Sequence, residues 1–102
     1  MHCQYNAYML MEEFEWDENK NEANLAKHGI TLDEAKEIFR GPVLQAVDDR
    51  RDYGETRIAA IGMADNIELY IVYTMRGEVR RMISARRARR DERRAYHEAY
   101  PG

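Results

Sequence analysis

Hydrophobic positions change period midway along the chain. Phe14 and Trp16 bracket Glu15 in the alternation of a short strand that ends at Asp17. Asp17 is a good helix N-cap, and the helix formers of ENKNEANLAKHG run to Gly29, the usual residue just past a helix end. Ala23, Leu25 and Ala26 are the expected buried stripe of this first helix. Thr31 and Glu34 then form a capping box, each satisfying the other's free backbone donor. Leu32, Ala35, Ile38 and Phe39 recur at helical spacing, and Gly41-Pro42 stops this second helix.

From Val43 onward the period shortens to that of strands. Residues 43–47, 56–63, 68–75 and 79–85 are rich in Val, Ile, Tyr and Thr, separated by turn formers at Asp49, Gly54, Asp65-Asn66 and Gly77. Separators this short predict an antiparallel meander. Residues 87–100 return to helical character before Pro101. The fold expected is α+β: an antiparallel sheet of four or more strands, two N-terminal helices covering one face, and a C-terminal helix. Residues 13–100 would form the one domain. Residues 1–12 are expected to be a poorly ordered extension, since Met9 and Met11 stand just before the first patterned residues.

Composition narrows the compartment and the ligands. In 102 residues, 44% are hydrophobic and 34% charged, which excludes both disorder and a membrane span. The one cysteine, Cys3, has no internal disulfide partner, so a reducing cytoplasm is the expected location. The net charge is −3, yet nine arginines crowd RGEVRRMISARRARRDERR, residues 76–94. Residues 1–50 hold 5 basic against 11 acidic side chains, and residues 51–102 hold 11 against 8. Such a chain suits phosphate contact at one place rather than coating of DNA. The guanidinium is planar, permanently charged and forked to match two phosphate oxygens. No metal-ligand spacing joins His2, Cys3, His28 and His97, and there is no Gly-rich nucleotide cradle, so no cofactor is expected.

The opening FEWDENKNEANLAKHGI, the helix TLDEAKEIF, the pair Glu55–Arg57 before the central strand, and RRMISARRARRDERRAYHE occur in that order over residues 13–98. Together they resemble the BrnT family of bacterial type II toxins, ribonucleases of the RelE-like superfamily. Relatives commonly carry Glu directly before the central-strand arginine, whereas Thr56 intervenes here. The resemblance implies a RelE-like fold, RNA cleavage without metal and growth arrest. It also implies neutralisation by a BrnA-like antitoxin in a 2:2 heterotetramer that carries the DNA binding itself. Tyr96, Ala99 and Tyr100, with the sheet edge, are the expected apolar surface for that partner. The competing reading is a non-catalytic RNA-binding or protein-interaction module that uses the same arginines.

Metal-free RNA cleavage needs cations on the crowded phosphorus centre and groups that move protons. Arg57, in an otherwise apolar strand, and Arg80 and Arg86, on the last strand, are the expected phosphate contacts. Strict alternation puts Arg80, Met82, Ser84 and Arg86 on one face. Arginine is too basic to accept a proton. Glu55, His28, Tyr73 and Lys27 are therefore the candidates for proton transfer, with Glu55 and His28 favoured. Lys27, Arg81 and Arg87 are expected to contact RNA. Each has a structural alternative: Lys27 and His28 suit the negative end of a helix dipole, Tyr73 a sheet core, and the later arginines can pair with Asp91 and Glu92.

Overall fold

The computed structural model describes residues 13–102. The expected extension, residues 1–12, lies outside them. Five strands, β1 (Glu13–Glu15), β2 (Leu44–Asp48), β3 (Arg57–Ala64), β4 (Ile67–Arg76) and β5 (Val79–Arg87), form one sheet in the order β1-β5-β4-β3-β2. The helices are α1 (Glu18–His28), α2 (Leu32–Ala35), which tightens into a 3₁₀ turn over Lys36–Arg40, and α3 (Arg90–Ala99). The meander β2 to β5 is antiparallel as expected. β1 differs, pairing parallel to β5 at the sheet edge. A parallel pair needs a long connection, and here everything between β1 and β5 supplies it.

The helix signals act locally as read. Asp17 accepts backbone N–H bonds from Asn19 and Lys20, Gly29 closes α1 at φ 73°, and the Thr31–Glu34 capping box is complete. Leu32, Ala35, Ile38 and Phe39 are buried against Ala60, Leu69, Ile71, Tyr73, Met82 and Ala85 of the sheet, with Trp16 packed at the margin. Gly62 lets the 3₁₀ turn sit close, because a Cβ there would stand 2.8 Å from the Ile38 Cβ.

The stripe expected for α1 is corrected. Ala23, Leu25 and Ala26 are exposed, and the buried residue is Asn24. Its amide donates to Ile30 O at 2.9 Å and Ala85 O at 2.8 Å, while its carbonyl accepts from Ala85 N at 3.0 Å. β1 covers β5 only as far as Arg81. Asn24 therefore satisfies both backbone groups of Ala85 where the neighbouring strand has ended. Asn21, one turn earlier, accepts from Leu32 N at 2.8 Å.

A β-bulge decides the faces of β5. Tyr73 lies opposite Met82, but Val72 lies opposite Ser84, so Ile83 is the extra residue. Arg80 and Met82 share the helix-covered face with Ala85 and Arg87. Arg81, Ser84 and Arg86 lie on the other. The expectation that Arg80 and Arg86 share a face is thus overturned.

Candidate active site

The face opposite α1 and α2 carries α3 at one end. Tyr96 is buried there against Ile61 and Ala88, so it is not the exposed partner surface expected. Its hydroxyl donates to Pro42 O at 3.0 Å, Tyr100 donates to Val43 O at 2.7 Å, and His97 Nε2 lies 2.6 Å from Glu68 Oε2. The His97 hydrogen bond holds the Glu68 carboxyl below its ordinary range.

Beyond α3 the strand register builds a trough. Ala46, Ala59, Val72 and Ser84 align across four strands as a floor of small side chains. On one side runs a row through Asp48, Arg57, Thr74 and Arg81, and on the other a row through Leu44, Ile61, Tyr70 and Arg86. Four sequence-predicted residues, Arg57, Arg81, Arg86 and Glu55, meet on this face.

Carboxylates and rings hold each guanidinium in place. Arg57 stacks 4.1 Å from the Tyr53 ring centre, with its Nε 3.4 Å from Glu55 Oε2. Glu55 also lies 3.6 Å from Arg76 Nη2. Arg81 Nη1 donates to Glu15 Oε2 at 3.0 Å. Arg86 lies 4.0 Å over the Tyr70 ring and grips Glu92 through two bonds of 2.9 Å. That pairing lowers the pKa of Glu92 and raises that of Arg86. A guanidinium has five N–H donors, so a fork engaged on one edge keeps others for a ligand.

Sequence reasoning missed several members of this face. Arg50 bonds Asp48 through Nε at 2.8 Å and Nη2 at 3.0 Å, and Tyr53 donates to the same carboxylate at 3.2 Å. The Arg50 hydrogen bond outweighs burial and keeps the Asp48 carboxyl below its usual range. Tyr70 and Tyr53 were also missed. One signal for Tyr70 was legible: a two-residue turn at Asp65-Asn66 pairs Ile58 with Tyr73, so Arg57 must share a face with Tyr70 and not with Tyr73.

The remaining candidates lie elsewhere. Tyr73 is only 2% exposed, in the core, with its hydroxyl donating to Gln45 Oε1 at 2.7 Å. Arg80 is on the same helix-covered side, 4.0 Å from the Phe39 ring centre and 4.9 Å from that of Tyr73. His28 and Arg87 line a cavity of about 560 Å³ with Glu34, Glu37 and Asp65, also on the helix side. Lys27 is exposed in the last turn of α1. Among the described residues, no three His, Cys, Asp or Glu side chains gather as a metal site, and no helix is long and apolar enough to cross a membrane.

The fold and this face define a small α+β domain whose sheet is packed under α1 and α2 on one side and gathers ring-stacked arginines on the other. The model of the family described as the ribonuclease toxin, BrnT, of type II toxin–antitoxin systems matches residues 16–92. The chain belongs to that family and is by that membership a ribonuclease toxin. It is similar to the crystal structure of the Brucella abortus ribonuclease toxin BrnT, at 26% identity and a TM-score of 0.60, covering 78% of this chain and all of that one. Comparison with curated protein sequences finds no relative.

Proposed function

We propose that this toxin cleaves single-stranded RNA in the trough over Ala46, Ala59, Val72 and Ser84. The observation that carries this reading is the placement of Arg50, Arg57, Arg81 and Arg86 around one floor on an otherwise acidic protein. Their free edges grip backbone phosphates and stabilise the charge that grows on phosphorus as the ribose 2′ oxygen attacks. Glu55, on the same face, accepts the 2′-hydroxyl proton. Arg80 serves the packing of the helix side, and no step requires a metal.

In the cell, cleavage arrests growth until a BrnA-like antitoxin binds, in a 2:2 complex in which the antitoxin supplies DNA recognition. The exposed edge strand β2, with Val47 at 61% exposure, and the half-exposed Tyr100 support such a partner surface. Induced expression with and without the neighbouring gene product tests this part. Rescue of growth by that product is expected, and promoter binding by the toxin alone would refute the division of labour.

The site is tested on purified toxin with a labelled RNA. Arg86→Ala should reduce cleavage by about 10²–10³, the usual loss for one charge-stabilising donor, and EDTA should leave wild-type cleavage unchanged. The cavity lined by His28 and Arg87 is the rival location. His28→Ala should stay within about twofold of wild type, whereas a loss like that expected of Arg86→Ala would move the site to the helix side.

A further inference from the structure

On the reading that RNA lies in this trough, we propose that Tyr70 is the catalytic acid that protonates the departing 5′ oxygen. Five tyrosines fall among the described residues, and four have their hydroxyls committed. Tyr53 donates to Asp48, Tyr73 to Gln45, Tyr96 to Pro42 O and Tyr100 to Val43 O. The Tyr70 hydroxyl makes no hydrogen bond among the described residues, although its ring is fixed. Strand β4 is central in the sheet, Ile61 and Arg86 flank Tyr70 in register, and the Arg86 guanidinium lies 4.0 Å over the ring. A phenol whose ring is fixed by the sheet and by Arg86, and whose hydroxyl is uncommitted among the described residues, is placed to hand its proton to an oxygen bound in the trough.

The step balances. The 2′ oxygen forms the P–O2′ bond as its proton passes to Glu55. The P–O5′ bond breaks, its electron pair stays on the 5′ oxygen, and that oxygen takes the Tyr70 proton. The products are a 2′,3′-cyclic phosphate and a 5′-hydroxyl. Glu55 releases its proton to solvent, and the phenolate takes one back.

Tyr70→Phe removes only the hydroxyl and keeps the ring on which Arg86 stacks. Expected is a loss of kcat of about 100-fold or more on an ordinary RNA, with KM within about threefold and an unchanged melting temperature. A substrate whose 5′ oxygen is replaced by sulfur leaves without needing a proton. On it the variant should come within about fivefold of wild type. Equal losses on both substrates would overturn the acid role, as would Tyr70→Phe retaining full activity. Arg86→Ala run in parallel separates the two failures. If it loses activity while Tyr70→Phe does not, only the Tyr70 assignment falls; if both stay active, the trough itself is the wrong site.

Discussion

The two faces of this sheet are made from alternate residues of the same strands, and each treats arginine differently. On the helix side Arg80 lies against Phe39 and Tyr73, its cation facing aromatic rings within the packing of α2 and the core. On the open side Arg57 and Arg86 are also stacked on rings, Tyr53 and Tyr70, but stand beside the floor of Ala46, Ala59, Val72 and Ser84, away from α1 and α2. The contact chemistry is nearly the same. What differs is the surroundings: the helix-side guanidinium is enclosed by the packing of α2 and the core, and those of the other face border the trough. Arginine density along the chain therefore says little about a site until the face of each residue is known.

The comparison is broken most directly by paired substitutions. Arg57→Ala should lower RNA cleavage by about 10²–10³ with little change in melting temperature, as expected of a charge-stabilising donor. Arg80→Ala should do the reverse, reducing stability by about 2 kcal/mol through lost ring contacts while folded protein cleaves normally. Cleavage rates set beside thermal melts decide it, and the opposite pattern would place the working face under the helices. Asn24→Ala comes next on the stability side. It leaves buried backbone groups of Ala85 and Ile30 without partners and should cost about 3 kcal/mol in urea unfolding. A loss below about 0.5 kcal/mol would mean that water replaces the amide.

Gly62→Ala sharpens the packing of the helix side. The added methyl meets the Ile38 Cβ at 2.8 Å and the Val43 Cγ1 at 3.1 Å, and overpacking of this kind costs about 1–3 kcal/mol. The smallest effect belongs to the open face and its margin. Asp48, Glu68 and Glu92 all have carboxyl pKa values lowered in the folded protein, chiefly by hydrogen bonds from Arg50, His97 and Arg86. Depressed folded values mean that the unfolded chain binds these protons more tightly. The stabilisation is complete above the ordinary values of 3.8 and 4.5 and is lost as pH falls through and below them. Urea midpoints should therefore fall on acidification in that range, and Glu92→Gln should shallow the slope; an unchanged slope would show that the Arg86–Glu92 pair adds nothing to stability.

What the sequence determined by itself were features set within a few residues. Asp17, Gly29 and the Thr31–Glu34 box place the helix ends through backbone hydrogen bonds that close locally. The alternating runs and the Asp65-Asn66 turn place the strands, and the stripe from Leu32 to Phe39 names the face that must be buried. The quoted motifs carried the family. Three things waited for the tertiary structure. A one-residue bulge at Ile83, which no local pattern announces, reverses which side of the sheet Arg86 occupies. The burial of Asn24 depends on β1 ending short of Ala85, which lies 61 residues from Asn24 along the chain. The proposed site gathers Arg50, Tyr53, Tyr70 and Glu92 with Arg57 and Arg86 from separate elements. The physical reason is the same in each case: side-chain direction along a strand has period two, so a single insertion or a missing neighbour elsewhere in the sheet changes what a residue faces without changing the residue.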